Sequence, residues 1–93
     1  MLEKHIEAAL VKKVKSLGGM ANKFCSPMAR SVPDRIVLLP HGKVIFCECK
    51  RPGGKPTENQ LRDHDKRRAL GCDVRVIDSM EQVEAFPINL KEK

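Results

Sequence analysis

The chain has no tryptophan, no tyrosine and only three phenylalanines. That scarcity argues against single-strand binding by rows of stacked bases, because the aromatic platforms are missing. No stretch approaches the roughly 18 apolar residues of a membrane span, and the amino terminus has no apolar secretion segment closing on small residues. The expectation is a soluble, intracellular, cytoplasmic protein with no membrane partner. Paired CxxC knuckles are also missing. The four cysteines, Cys25, Cys47, Cys49 and Cys72, therefore do not present a tetrahedral zinc spacing and read as buried, reduced thiols.

What is present is positive charge. Lys and Arg number 18 against 12 Asp and Glu, a formal excess of +6 over 93 residues, which favours an anionic partner contacted through its phosphate backbone. A chain this short holds one compact domain, residues 1–93, with a modest core.

Leu2, Ile6, Leu10, Val14 and Leu17 recur at helical spacing and meet Gly18-Gly19, which predicts a first helix over residues 2–17. Met20 to Cys25 is a weak strand candidate, and Ser26 to Pro33 reads as a loop. Asp34 to Leu39 and Val44 to Lys50 are strands joined by hairpin chemistry at Pro40 to Lys43. After the Arg51 to Pro56 loop, Thr57 opens a polar helix to about Leu70, closed by Gly71. Asp73 to Ile77 is another strand. Ser79 with Gln82 starts a short helix through about Ala85, and Leu90 to Lys93 is expected to fray. The order implies an α/β domain with a mixed central β-sheet flanked by helices.

Two charged residues interrupt the apolar strand Val44 to Lys50. Alternation puts Glu48 and Lys50 on one face and Cys47 and Cys49 on the other. A strand-end salt bridge would explain the charges without chemistry. A hairpin register pairing Ile36 with Phe46 and Leu38 with Val44 also pairs Asp34 with Glu48, setting both carboxylates on one face. A one-residue slip would separate them. Two carboxylates beside a lysine form an oxygen-donor site suited to Mg²⁺ or Mn²⁺. A cation there lowers the pKa of bound water and neutralises a phosphodiester, while the lysine orients the water or stabilises developing charge.

Val32-Pro33-Asp34 followed by Glu48-Cys49-Lys50 at the end of the next strand resembles the PD-(D/E)xK nuclease signature. The Pro33 to Ile36 run, the Pro-Gly-Gly loop after the lysine, Gln60, and the stretch from Leu70-Gly71 to Val76 are similar to the VRR-NUC branch of that superfamily, from about Glu3 to about Val83. The resemblance implies a restriction-endonuclease-like core and a metal-dependent DNA endonuclease without a small-molecule cofactor. It also implies a metal ligand on the first helix. Glu7 is the first choice and Glu3 its competitor, because the distance from Glu7 to Gly18-Gly19 looks like that of the equivalent acid in archaeal-type Holliday junction resolvases. Either acid instead complements the helix dipole if it plays no part in the site. The resemblance further gives the backbone carbonyl of Cys49 as a ligand and Gln60 as a supporting residue, although Thr57 to Gln60 is equally a capping box. The loop before Pro33 departs from the family's glycine-rich pattern at Met28, Ala29 and Ser31.

Arg30 and Arg35 either bind phosphate beside the cut or balance the two acids. Lys12, Lys13 and Lys15 on the first helix, and Arg62, Lys66, Arg67 and Arg68 on the later one, either track a nucleic-acid backbone or form solvated faces. His5, His41 and His64 have no ligand spacing and read as surface residues. The chain has no spare module for reading bases, so shape is what remains to recognise. Stand-alone members of the family resemble Holliday junction resolvases, often viral, a resemblance that implies branched DNA as the substrate and, for a viral protein, a host cytoplasm as the location. The paired strands of a junction suggest a homodimer. Alternatives are a flap or nicking nuclease of the same fold, a non-catalytic nucleic-acid-binding module, and a zinc-binding domain.

Overall fold

The computed structural model describes residues 1–27 and 30–91. The helix α1 (Glu3–Ser16) is followed by β1 (Met20–Lys23), β2 (Arg35–Leu39), a 3₁₀ turn at Pro40–Gly42 and β3 (Lys43–Cys49). Then come α2 (Glu58–Ala69), β4 (Asp73–Ile77) and α3 (Met80–Ala85). The sheet order is β1-β2-β3-β4, with the first two pairings antiparallel and β3 parallel to β4. It is the mixed α/β sheet with flanking helices expected from the residue pattern. Residues 28 and 29 of the loop, and residues 92 and 93 of the expected frayed end, lie outside the described residues.

Ile6, Leu10 and Val14 recur every fourth residue on α1 and are fully buried. They meet Val37, Ile45, Cys47, Cys49 and Ile77 on one face of the sheet, and Val83 and Phe86 close that layer from the α3 side. Gly18 ends α1 at φ +83°, a conformation glycine adopts without a Cβ penalty. Gly18 N–H bonds the Lys15 carbonyl at 3.1 Å and Gly19 N–H the Val14 carbonyl at 3.0 Å, a Schellman ending. A Cβ on Gly19 would collide with the Leu38 carbonyl, so the sharp return into β1 requires a residue without one.

The cysteine expectation holds for two positions. Cys47 and Cys49 are fully buried, Cys72 is half-buried, and Cys25 is exposed; all four are free thiols. Burial pushes the Cys47 thiol up to about 12 and raises the Cys49 thiol as well, which keeps both protonated as space-filling groups.

α2 lies on the opposite face and covers only part of it, so Met20, Leu38 and Val44 stay open as one lateral row. The outer edge of β4 is closed by side chains. Ile77 turns its carbonyl to Lys50 N–H, so the neighbouring Val76 carbonyl points off the sheet. Gln82 takes that carbonyl at 3.0 Å and accepts Asp78 N–H at 2.7 Å, while Arg68 takes the Val74 carbonyl at 2.9 Å. Ser79 caps α3 by accepting Gln82 N–H at 3.2 Å. The Gln82 amide, expected to complete that cap, instead occupies positions a further strand would use.

Gly19→Ala is expected to lower stability by roughly 1–3 kcal/mol, the usual cost of forcing atoms into a packed site, measured by urea denaturation.

Candidate active site

The β2–β3 ladder runs from Arg35↔Cys47 through Ile36↔Phe46 and Leu38↔Val44 to Leu39↔Lys43. This is the register that sets Asp34 across from Glu48 when continued by one residue. Asp34 Oδ2 accepts the Cys49 N–H at 2.7 Å, anchoring the aspartate beside the end of β3. In a strand the N–H and C=O of one residue point the same way, so the Cys49 carbonyl also faces β2. Continuing the register one further residue puts Pro33 opposite it, and proline has no N–H to give. The Cys49 carbonyl is thereby denied its ladder partner and left as an oxygen donor next to Asp34.

Glu48 is 1% exposed. Burial raises its pKa first, and the charge and hydrogen bonding of Asp34 add to the effect. Lys50 opposes it, Glu3 contributes a further push, and the result is a pKa of about 8. Lys50 follows β3 and donates its backbone N–H to the Ile77 carbonyl at 2.9 Å. Among the described residues no acid lies within ion-pair distance of its ammonium. A strand-end salt bridge is therefore not what holds Glu48 and Lys50 there.

The support comes from α2. Thr57 accepts Gln60 N–H at 3.2 Å and donates its own N–H to Gln60 Oε1 at 2.9 Å. With its oxygen committed to the cap, the Gln60 amide turns its nitrogen to Glu48 Oε2 at 3.4 Å. The capping and supporting roles coexist in one side chain. One turn on, His64 Nε2 lies 3.4 Å from Glu48 Oε1. His64 is fully buried, so its reading as a surface residue is wrong. Burial lowers its pKa, with the Arg68 charge adding to the effect, which favours the neutral ring. The spacing from Gln60 to His64, one turn on the helix after the acidic strand, was the signal that could have found it.

The two acids of α1 are treated differently. Glu7 Oε2 is bound by Arg35 Nε at 2.7 Å and approached by Lys23 at 4.0 Å. Arg35 also donates to the Ala21 carbonyl at 3.0 Å. The guanidinium expected at phosphate and the carboxylate expected at metal thus engage each other. Glu3 is exposed and in no such ion pair among the described residues, yet its charge reaches Glu48. Among the described residues no three His, Cys, Asp or Glu side chains converge as a metal cluster. The donors brought together are the Asp34 and Glu48 carboxylates and the Cys49 carbonyl, an all-oxygen set that fits a hard divalent cation.

Arg30 is exposed and, with Lys23, Cys25 and Asp34, lines a cleft of about 370 Å³. Lys12 and Lys13 instead line a groove with Met80 and Val83 between α1 and α3, on the other side of the sheet from α2. Lys66 is exposed. Arg67 is not presented to a ligand: it grips Asp63 at 2.8 Å and stacks over Phe24 and Phe46 at 4.9 and 5.1 Å, serving as packing.

The fold and the paired carboxylates define the class, a small nuclease domain, and comparison with known proteins agrees. No protein-family model matches the chain. It is 53% identical over 85 residues to a candidate nuclease, p44, of Acyrthosiphon pisum secondary endosymbiont phage 1, covering 91% of each chain. A solved VRR_NUC domain superposes with a TM-score of 0.83 at 32% identity, covering 88% of this chain and 89% of the other. The chain belongs to the VRR-NUC family of nucleases.

Because the folded pKa of Glu48 lies above its ordinary 4.5, its contribution to stability is full below 4.5 and is lost as pH rises through about 8. The depressed His64 pKa acts only below about 6.5. In chelator, the melting temperature is therefore expected to fall between pH 6.5 and 8.5, and Glu48→Gln should flatten that fall. An unchanged slope in the variant would assign it to another group.

Proposed function

We propose that this nuclease is a metal-dependent, structure-specific DNA endonuclease that hydrolyses phosphodiester bonds in branched DNA, Holliday junction resolvase-like and acting as a homodimer. The observation that carries the reading is Glu48, a carboxylate 1% exposed and set against Asp34. Two acids so placed repel each other once ionised, and a divalent cation is the partner that relieves both. Asp34, Glu48 and the Cys49 carbonyl would hold Mg²⁺ or Mn²⁺. Glu7 is committed to Arg35, so Glu3 is the better-placed acid to complete the ligand set. A bound cation supplies charge neutralisation at the phosphodiester and acidifies water. Lys50, with an ammonium free of acidic partners among the described residues, orients the attacking water or stabilises charge developing on the phosphate. Gln60 steadies Glu48.

Arg30 and Lys23, flanking the cleft beside Asp34, are placed to take phosphates next to the reacting group, and Lys66, Lys12 and Lys13 offer weaker, more distant contacts. With no base-reading element, shape and phosphate spacing set the preference. The homodimer rests on symmetry: a four-way junction presents two equivalent strands, and each chain carries one site. No helix among the described residues is long and apolar enough to cross a membrane.

Labelled four-way junctions, flaps, linear duplex and RNA incubated with Mg²⁺, Mn²⁺ or chelator test the reading. Junction cutting is expected only with metal, with Lys50→Ala slowing it about 10²- to 10³-fold, as loss of one charge-stabilising donor does elsewhere. Glu3→Ala should cost more activity than Glu7→Ala, which should cost stability instead. Faster cutting of flaps would favour a nicking enzyme, and binding without cutting would favour a non-catalytic module.

Junction binding is expected to weaken steeply with salt as counterions are released, and light scattering should report a dimer on the junction. A flat salt response would remove the phosphate contacts, and a monomer throughout would remove resolvase action.

A further inference from the structure

Each oxygen of Glu48 meets a side-chain nitrogen from residues one turn apart on α2: Gln60 Nε2 donates to Oε2, and His64 Nε2 lies 3.4 Å from Oε1. The two supports differ in kind. Gln60 is half-buried and shared with the Thr57 cap. His64 is fully enclosed, and among the described residues Glu48 is its one polar partner, because its buried Nδ1 has no hydrogen-bond partner among them. A neutral imidazole carries one proton, on Nδ1 or Nε2. With Glu48 ionised, as metal binding requires, placing it on Nδ1 would bury an N–H with no acceptor and turn a lone pair of Nε2 towards a carboxylate oxygen, unfavourable at both ends. Placing it on Nε2 leaves a bare acceptor at Nδ1, a cheaper vacancy, and aims the ring's only N–H at Oε1.

We propose that His64 is a positioning residue of the metal site, held as the Nε2–H tautomer so that its single N–H fixes the carboxylate plane of Glu48. This rests on the reading of Glu48 as a metal ligand. A carboxylate oxygen has two lone-pair sites. A donor from the α2 side on each oxygen leaves the remaining sites directed away from the helix, towards Asp34 and the end of β3. Without His64 the carboxylate is held at one oxygen only and rotates about its terminal bond, a broad torsion with no strong preference of its own. Partners behind metal ligands act in this way, and losing one typically lowers metal affinity about 10- to 100-fold.

Two variants separate positioning from packing. His64→Phe keeps a ring in the cavity and removes the donor, whereas His64→Gln places an amide nitrogen at a comparable reach. Calorimetric titration with Mn²⁺ alone is expected to show a 10- to 100-fold loss in His64→Phe and recovery to within a few-fold of wild type in His64→Gln. Both variants are first checked for cooperative melting. Nitrogen-15 NMR of the metal-free wild type, held above the Glu48 pKa of about 8 so that the carboxylate is ionised, should show the proton of His64 on Nε2. Equal Mn²⁺ affinity in wild type and His64→Phe would overturn the proposal while leaving Glu48 a ligand, as would a proton found on Nδ1. Failure of the wild type to bind Mn²⁺ would sink the reading of Glu48 itself. Should His64→Phe fail to melt cooperatively, His64→Gln and the tautomer decide: loss of Mn²⁺ affinity in a folded His64→Gln, or Nδ1 protonation, overturns positioning through the donated N–H.

Discussion

The pairing of β2 with β3 is the constraint on which the site depends. Leu39↔Lys43 closes the hairpin over Pro40–Gly42, and from that closure every cross-strand neighbour follows. A slip of one residue would send Glu48 towards the aliphatic layer under α1 and bring Cys47 or Cys49 out towards α2. The register is held by that aliphatic layer itself. Val37, Ile45, Cys47 and Cys49 are all fully buried, so a one-residue slip would strip the core. The carboxylate pair is positioned by hydrophobic burial on the opposite face of the same strands.

The two faces of β3 therefore do different work within seven residues. On one, small thiols fill space and are kept protonated by burial. On the other, a buried carboxylate is retained at an energetic penalty that unpaired burial makes large. α2 offsets that penalty with two donors. Because the helix begins at a box formed by Thr57 and Gln60, its first turn is fixed, and Gln60 and His64 are then fixed over Glu48. The device that starts the helix also orients the amide that supports the acid.

The periodic elements were legible in the sequence because hydrophobic spacing is local. Ile6, Leu10 and Val14 declare α1, and the alternation through Val44 to Lys50 declares β3 and the odd placement of Glu48. The hairpin register was legible too, since pairing Ile36 with Phe46 sets the two acids opposite each other, whereas a one-residue slip would put them on opposite faces. Interactions between residues distant in the chain were not. Glu7 and Arg35 are 28 residues apart, and nothing near either announces that they neutralise each other. His64 sits on a helix otherwise rich in charge, where a local pattern predicts solvent. Its burial follows from α2 lying across Glu48, a tertiary fact. Arg67 likewise carries a charge that suggests phosphate, yet its guanidinium lies over Phe24 and Phe46, two of the three phenylalanines in the chain.

The charge distribution joins these features. The chain carries a net +6, while Asp34 and Glu3, both close enough to act on Glu48, form a patch of the opposite sign that Glu48 joins once it ionises. Mobile ions limit the reach of such a patch to about one Debye length, roughly 8 Å at physiological salt. A polyanion approaching from further away responds mainly to the positive excess and is drawn in; at contact it meets acids of its own sign. On the proposed reading, the same short-range field that would repel the phosphate concentrates a divalent cation where the phosphate must arrive. The Glu7–Arg35 pair contributes by subtraction. By cancelling one acid against one base close to the site, it leaves Glu3 as the nearby α1 carboxylate without an ion-pair partner among the described residues and Lys50 as an ammonium free to face the anion, so that attraction and repulsion are set by few groups at short distance.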